Sequence, residues 1–283
     1  MAKVSVGMPV YNGAEFIAGA IQNILDQTFQ DIEIVISDNG STDETIDIIK
    51  GFSDPRIKLV QQNSNIGPLP NFAFLTETCS SEYFLWRSYD DLSDVDYISV
   101  LLKKIEQNPG CSLAAGKIVR KRLDGSISGE NPYLPRYDES SIFKVRRQLL
   151  ASHPGWFYGL YRREIVSRRI QDVIANYPFV WAWDHLLLFS FAIRNEITGT
   201  CETSFYPLET GKSDSSWRPK TSADQVKLLS AFLGCCRHSL EDADLTAAQK
   251  ALIYLNMPIY VNGRTEKLRR VARNWIKEKL SIV

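Results

Sequence analysis

The sequence lacks any imbalance of charge, since its 33 lysines and arginines are matched by 33 aspartates and glutamates. No whole-chain field therefore draws it toward nucleic acid, and any basic surface has to be local. Cysteine is scarce: Cys79, Cys111, Cys201, Cys235 and Cys236 are scattered apart from one adjacent pair. They have neither the spacing of a metal motif nor the density of a disulfide scaffold, so reduced thiols are expected. Long apolar runs are missing too. No stretch approaches the ~20 residues needed to cross a bilayer, and the opening Met1 to Val6 lacks the apolar core of a leader peptide. A soluble cytoplasmic protein is expected, or one that touches the inner face of the membrane peripherally. No internal repeat points to a solenoid, and no Gly-x-Gly-x-x-Gly follows a strand pattern as a dinucleotide oxidoreductase would require. What is present is 283 residues with 44% hydrophobic and 11% aromatic content, enough to bury a substantial core.

The apolar pattern alternates between two periods. Val4 to Val10 is short, β-branched and stopped near Pro9, and apolar residues then recur with helical spacing at Phe16, Ile17, Ala20, Ile24 and Leu25. Ile32 to Ser37 predicts a second strand, and the turn Asp38-Asn39-Gly40-Ser41 leads to a helix through Ile46, Ile49 and Phe52. Ile57 to Val60 and Tyr83 to Trp86 predict a third and fourth strand, with a helix between them after Gly67-Pro68. Strands alternating with helices imply an α/β fold with a mostly parallel sheet flanked by helices. Ligands of such sheets sit beyond the carboxyl ends of the strands, where Tyr11-Asn12, Asp38-Asn39 and Asp90-Asp91 all fall. Further on, a helix over Leu101 to Ile105, a long polar loop over 121–141, a helix over 181–193 and a strand over 201–206 are expected. From residue 223 onward the pattern is helical.

The segments Val-Gly-Met-Pro-Val-Tyr-Asn-Gly (6–13), Ser-Asp-Asn-Gly-Ser-Thr-Asp (37–43) and Tyr-Asp-Asp (89–91) occur in order at successive strand ends. Together they resemble glycosyltransferase family 2. Any one of them alone is also an ordinary turn. The resemblance covers the first 110 residues and, more loosely, the chain to about Tyr206. It implies the GT-A fold over 1–222, with 1–110 as the nucleotide-binding part and 111–222 as the acceptor part, and a helical C-terminal extension over 223–283. It also implies an inverting transfer of a sugar from a nucleotide-diphosphate donor, a UDP-sugar being favoured, to a saccharide or lipid-linked saccharide. Bacterial polysaccharide or glycan assembly is the expected setting.

Residue by residue, Pro9, Tyr11 and Asn12 match the family's nucleotide-binding loop, and the alternative is a strand-terminating turn. Asp38 matches the aspartate that accepts from the base, while Asn39 stands where a second aspartate is usual. Asn71 lies in a region that contacts the base in relatives, or serves only at the helix start. Asp90 and Asp91 match the end of the metal motif, whose first aspartate is replaced by Ser88. Asp90 is the expected ligand of Mn²⁺ or Mg²⁺, which would neutralise the departing diphosphate; Asp91, counted with the nucleotide-binding residues, orients it or caps the following segment, and a surface turn is the alternative for both. Asp184, at the start of an apolar helix and beside Trp181 and Trp183, resembles the catalytic base; a helix cap is the competing use, and His185 is the alternative base or a metal ligand, unless it is only structural. The aromatic stretch 155–161 either stacks on an acceptor sugar or belongs to the core. Where relatives carry a histidine after the late strand, Lys212 or Arg218 is the candidate substitute. The Gln-x-x-Arg-Trp signature of processive relatives is absent, so addition of a single sugar is expected. The competing reading, suggested by Ser88 and Asn39, is a catalytically weak nucleotide-sugar-binding or scaffold protein.

The last segment carries a separate signal. Between 264 and 283 stand seven cations against two carboxylates, a local charge of +5. Leu268, Val271, Ala272, Trp275, Ile276 and Leu280 form an apolar stripe with helical spacing. Two uses are open to it: packing against the rest of the chain, or resting on an anionic membrane.

Overall fold

The computed structural model describes residues 1–133, 143–211, 217–265 and 267–280. The first half is wound as the sequence pattern predicts. Strand β1 (Val4–Val10) is buried at all seven positions, which is why it reads as a continuous apolar run rather than an alternating one. Helix α1 (Ile17–Leu25) turns Ile17, Ala20, Ile21 and Ile24 into the core at i, i+3, i+4 and i+7. Strand β2 (Ile32–Asp38), helix α2 (Thr45–Lys50), strand β3 (Ile57–Gln61), helix α3 (Pro68–Thr78) and strand β4 (Tyr83–Trp86) follow in turn. Pro68 opens α3, where its missing N–H costs nothing.

A short strand β5 (Leu92–Ser93) precedes helix α4 (Tyr97–Glu106) and strand β6 (Leu113–Arg122). The stretch expected to be a long polar loop is in part a strand, β7 (Ile127–Asn131), paired antiparallel with β6. It escapes the pattern because it is a half-exposed outer strand of polar and small residues, Ile-Ser-Gly-Glu-Asn, with no apolar alternation. Helix α5 (Phe143–Ala151), strand β8 (Leu160–Arg162), helix α6 (Arg163–Asn176), helix α7 (Trp183–Ala192), strand β9 (Ile197–Tyr206) and strand β10 (Leu208–Glu209) complete the middle of the chain. Three helices end it: α8 (Ser222–Glu241), α9 (Ala247–Arg264) and α10 (Leu268–Leu280).

All ten strands join one sheet in the order β3-β2-β1-β4-β8-β6-β9-β5, with β7 and β10 paired to β6. The pairs β1–β2, β2–β3, β1–β4, β6–β9 and β6–β10 are parallel. The chain steps outward from β1 to β2 and β3, then returns to lay β4 on the other side of β1. Such a reversal opens a crevice at the carboxyl ends of the strands, between loops that diverge to opposite faces.

The described residues divide into two compact units, each holding its own contacts: 1–136, 155–171 and 196–212 in the first, and 137–154, 172–195 and 213–283 in the second. The sheet and α1 to α4 belong to the first unit. In the second, α7 and α9 pack on α8, and α5 packs on both α7 and α9. This partition by contacts follows different boundaries from the expected division at residue 222.

Candidate functional site

The loop after β1 is bolted to the loop after β2. Asn12 takes a left-handed φ of +51°, and its Oδ1 accepts the Thr42 N–H at 2.8 Å while its own N–H donates to Ser41 Oγ at 2.9 Å. The Gly13 N–H donates to Thr45 Oγ1 at 2.8 Å and the Ala14 N–H to Asp43 Oδ2 at 3.1 Å. Asparagine tolerates that φ better than most residues. Pro9 is buried in the strand and the Tyr11 ring stands out from the loop at 43% exposure, open to a flat partner.

Gly13 is required for a different reason. A Cβ there would lie 2.6 Å from Val10 Cγ2 and 2.7 Å from the Tyr89 ring. Gly13→Ala is expected to cost about 1–3 kcal/mol by overpacking, read as a lower urea midpoint at unchanged slope.

Asp38 is 1% exposed. Its Oδ2 accepts the Gly40 and Ser41 N–H groups at 3.2 and 3.1 Å, whereas its buried Oδ1 has no hydrogen-bond partner among the described residues. A buried carboxylate oxygen left unpaired is costly, so it marks a place where a ligand donor fits. Asn39, where the resemblance implies an aspartate, has a use for its amide. Its Nδ2 donates to Asn65 Oδ1 and Gly67 O at 3.0 and 3.2 Å, and its Oδ1 accepts the Ile66 N–H at 2.9 Å. A carboxylate could not make the first two bonds. Asn71, 2% exposed, engages both ends of its amide with Ser37: Oδ1 accepts from Ser37 Oγ at 2.6 Å, and Nδ2 donates to Ser37 O at 3.1 Å. It ties α3 to the end of β2.

After β4 the chain runs through Arg87, Ser88 and Tyr89 to Asp90 and Asp91. Ser88 Oγ donates to Asp90 Oδ1, so the residue that replaces an aspartate holds the next one. Asp91 is 7% exposed and accepts the Leu208 N–H at 3.0 Å. Burial, aided by the Asp90 charge, pushes its pKa up to about 7.

Sequence reasoning passed over Arg87. It is fully buried, its NH2 donates to Ser93 Oγ at 2.7 Å, and its guanidinium lies over Phe205 and Tyr97 at 5.2 and 5.6 Å from the ring centroids. Its Nε and NH1 lack hydrogen-bond partners among the described residues, and burial lowers its pKa to about 10. The guanidinium favours the charged form of Asp91. A cation directly behind the apolar run Tyr83 to Trp86 was the signal available for it.

These residues fit a divalent cation only in an open arrangement. Among the described residues no three histidine, cysteine or acidic side chains gather as a closed metal cage. Asp90 is half-buried, and neighbouring Asp91 is a carboxyl whose ionisation a cation would favour. Such a donor set suits an ion that takes one or two carboxylates and completes its shell with phosphate oxygens and water.

The aromatic stretch belongs to the core. Trp156 and Phe157 are 4% and 2% exposed, Phe157 stacks on Trp86 at 4.5 Å, and Tyr158 stacks on Phe205 at 4.8 Å.

Asp184 stands in the second unit, in the first turn of α7 and half-buried. The turn before it is unusual: Ala182 holds a left-handed φ of +68° and gives α7 no side-chain cap. A non-glycine residue there is strained, and such strain concentrates at functional turns. Trp183 is 8% exposed, and the Arg218 guanidinium lies 4.9 Å from the Trp181 ring centroid. Burial lowers the pKa of His185, whose carbonyl accepts from Tyr260 Oη at 2.7 Å. Lys212 lies outside the described residues.

Comparison with known proteins bears on the family and the fold. The chain is 28% identical over 186 residues to a GalNAc(5)-diNAcBac-PP-undecaprenol beta-1,3-glucosyltransferase of Campylobacter jejuni, covering 64% of this chain and 59% of that one. Other curated glycosyltransferases match over about a quarter of their own length. Among solved structures, TarS 1-349 of S. aureus in complex with UDP-GlcNAc shares the fold with a TM-score of 0.71 at 18% identity, over 94% of this chain and 74% of that one. The mannosyltransferase PcManGT of Pyrobaculum calidifontis, in complex with GDP-Man and Mn²⁺, aligns with a TM-score of 0.57 at 15% identity, over 100% and 81%. The glycosyl transferase family 2 model matches residues 5–169, more than half of the chain, and the chain belongs to that family.

Proposed function

We propose that this chain transfers a single sugar, with inversion, from a nucleotide-diphosphate sugar to a hydroxyl of a saccharide or lipid-linked saccharide acceptor in bacterial glycan assembly. The functional division we propose is a transferase part over 1–222 and a helical extension over 223–283. The observation that carries the donor side is the unpartnered, buried Oδ1 of Asp38 at the carboxyl end of β2. Uracil presents one ring N–H to such an acceptor, as thymine does, and the resemblance to the family favours a UDP-sugar. Pro9, Tyr11 and Asn12 form the rest of the nucleoside wall, Asn71 shapes it through Ser37, and Asp91 braces the loop that carries Asp90.

The acceptor hydroxyl gives its proton to the Asp184 carboxylate as its oxygen attacks the anomeric carbon opposite the diphosphate, which inverts the configuration. A Mn²⁺ or Mg²⁺ held by Asp90 would supply neutralisation of the diphosphate charge. The family and the Mn²⁺ in the mannosyltransferase complex support that cofactor. The UDP-GlcNAc in the TarS complex supports the uridine preference, and the undecaprenol-linked substrate named for the Campylobacter relative supports a lipid-linked acceptor.

Calorimetric titration tests the donor assignment. UDP is expected to bind more tightly than its N3-methyl analogue, and Asp38→Ala to weaken UDP by about 10- to 100-fold, as loss of a charged hydrogen bond implies. Equal affinity of wild type and variant for UDP would remove Asp38 from the nucleoside site.

A further inference from the structure

Helix α10 packs the wrong way round for a helix that belongs only to a soluble core. Asn274 and Glu278 bond to α8, and Val271 lies buried on the same face, the three spaced i, i+3 and i+7. Val271 is 8% exposed, Asn274 Nδ2 donates to Gln225 Oε1 at 3.3 Å, and Glu278 Oε1 accepts the Ser222 N–H at 2.7 Å. Two of the three inward residues are polar. The apolar stripe faces away from α8: Leu268, Trp275, Ile276 and Leu280 are 61%, 54%, 50% and 69% exposed. Packing against the rest of the chain, the first use the sequence left open, accounts only for Val271.

At about 100° per residue, Trp275, Leu268, Ala272, Ile276 and Leu280 span an arc of about 140° beginning beside Val271. Arg273, Lys277 and Arg270 occupy the next part of the surface, Arg269 stands at the far edge of the apolar arc, and Lys279 lies within it. Long cationic side chains there lay their methylenes along an apolar surface while the charge reaches outward. The charge is also sorted. Glu278 is the only carboxylate of α10, and it is turned onto Ser222 of α8, so the outward charged residues of the helix are cations. Arg264 takes no part, because its guanidinium donates to Leu150 O at 3.0 Å. Glu266 and residues 281–283 lie outside the described residues.

We infer that α10 docks flat on an anionic lipid bilayer, with Trp275, Ile276, Leu268 and Leu280 entering the headgroup boundary and the arginines and lysines beside them meeting lipid phosphates. Thirteen residues span about 20 Å, shorter than the ~30 Å hydrocarbon core, and no described helix is long and apolar enough to cross a membrane. An amphipathic helix of this design lies in the interface, held by buried apolar area together with attraction to anionic lipid. Charge complementarity selects that occupant over an apolar protein groove, because Arg269, Arg273 and Lys279 stand in or beside the apolar arc and match the phosphates of an anionic surface. The inference stands on α10 and α8 alone and holds whatever the chain transfers.

Cosedimentation of the full chain with vesicles of phosphatidylcholine, with and without about one-third phosphatidylglycerol, tests it. Binding to the anionic vesicles is expected to be at least about tenfold tighter and to weaken steeply with added salt. The double variant Trp275→Glu/Ile276→Glu should lose that binding while keeping the wild-type thermal midpoint, since both side chains are exposed. The wild-type tryptophan emission should shift to the blue on anionic vesicles, and a Trp275→Phe variant should lose that shift. Equal binding to both vesicle types, no binding, or full binding by the double variant overturns the inference. Concentration-dependent dimerisation that the double variant abolishes, without vesicle binding, would also overturn it and would assign the face to a second copy of the chain.

Discussion

Asp184→Asn is expected to lower turnover by about 10²- to 10⁴-fold, the range set by a lost general base, while donor affinity stays close to wild type. The amide keeps the shape and polarity of the side chain and removes only its capacity to accept a proton. A purely capping aspartate behaves differently. A carboxylate in the first turn of a helix favours it by about 0.3–1 kcal/mol through the macrodipole, so the variant would then lose a little stability and no activity. α7 starts from the left-handed Ala182, which supplies no side-chain cap, so any support Asp184 gives the first turn would show as lost stability in this variant. Turnover and thermal midpoint measured on the same preparation separate the two roles. Wild-type turnover in the variant would move the base elsewhere. His185 is a poor substitute on structural grounds, since burial lowers its pKa and its Nδ1 is enclosed without a hydrogen-bond partner among the described residues.

The parts of the fold that were legible are those where one physical signal acts alone. β1 and β4 are buried along their whole lengths, and their bounds can be read directly from apolar runs ended by turn residues. The site loops were legible for the same reason: each follows such a run, and parallel winding brings the carboxyl ends of β1 and β2 into register, with Val10 opposite Asp38. β7 was hidden because its partner, β6, supplies the pairing while its own residues remain outside the core. Arg87 was hidden because a cation after a strand ordinarily faces water, whereas here Phe205 and Tyr97, distant in sequence, close over it. The role of Asn39 needed the loop at 65–67, which no local pattern connects to it. The orientation of α10 could not be read from its periodicity at all. The moment of an amphipathic helix identifies an apolar face but not its neighbour, and here α8 takes the polar side.

Asp90→Ala is expected to lower turnover by about 10²- to 10³-fold, the usual cost of removing one group that stabilises developing charge, and to abolish the Mn²⁺-dependent part of nucleoside-diphosphate binding. The structure argues that this loss would not come from unfolding. Asp90 is half-buried, and the hydrogen bond it accepts from Ser88 is local, two residues away. Its charge raises the pKa of buried Asp91, which stands at about 7. A carboxyl whose folded pKa exceeds its unfolded value of about 3.9 disfavours the fold as pH rises above that value, and the penalty is complete only above the folded pKa. Removing Asp90 takes away part of that penalty. The variant should therefore match wild type in urea at pH 5 and equal or exceed it at pH 8, while transferring sugar poorly at both. Unchanged Mn²⁺-dependent binding of the nucleoside diphosphate would reject Asp90 as the ligand. An unchanged rate as well would show that transfer does not depend on a metal at Asp90, whereas a wild-type rate as low as the variant's would favour the catalytically weak nucleotide-sugar-binding or scaffold protein. A variant that unfolds at pH 8 would show that the loop depends on Asp90 for more than its bond to Ser88.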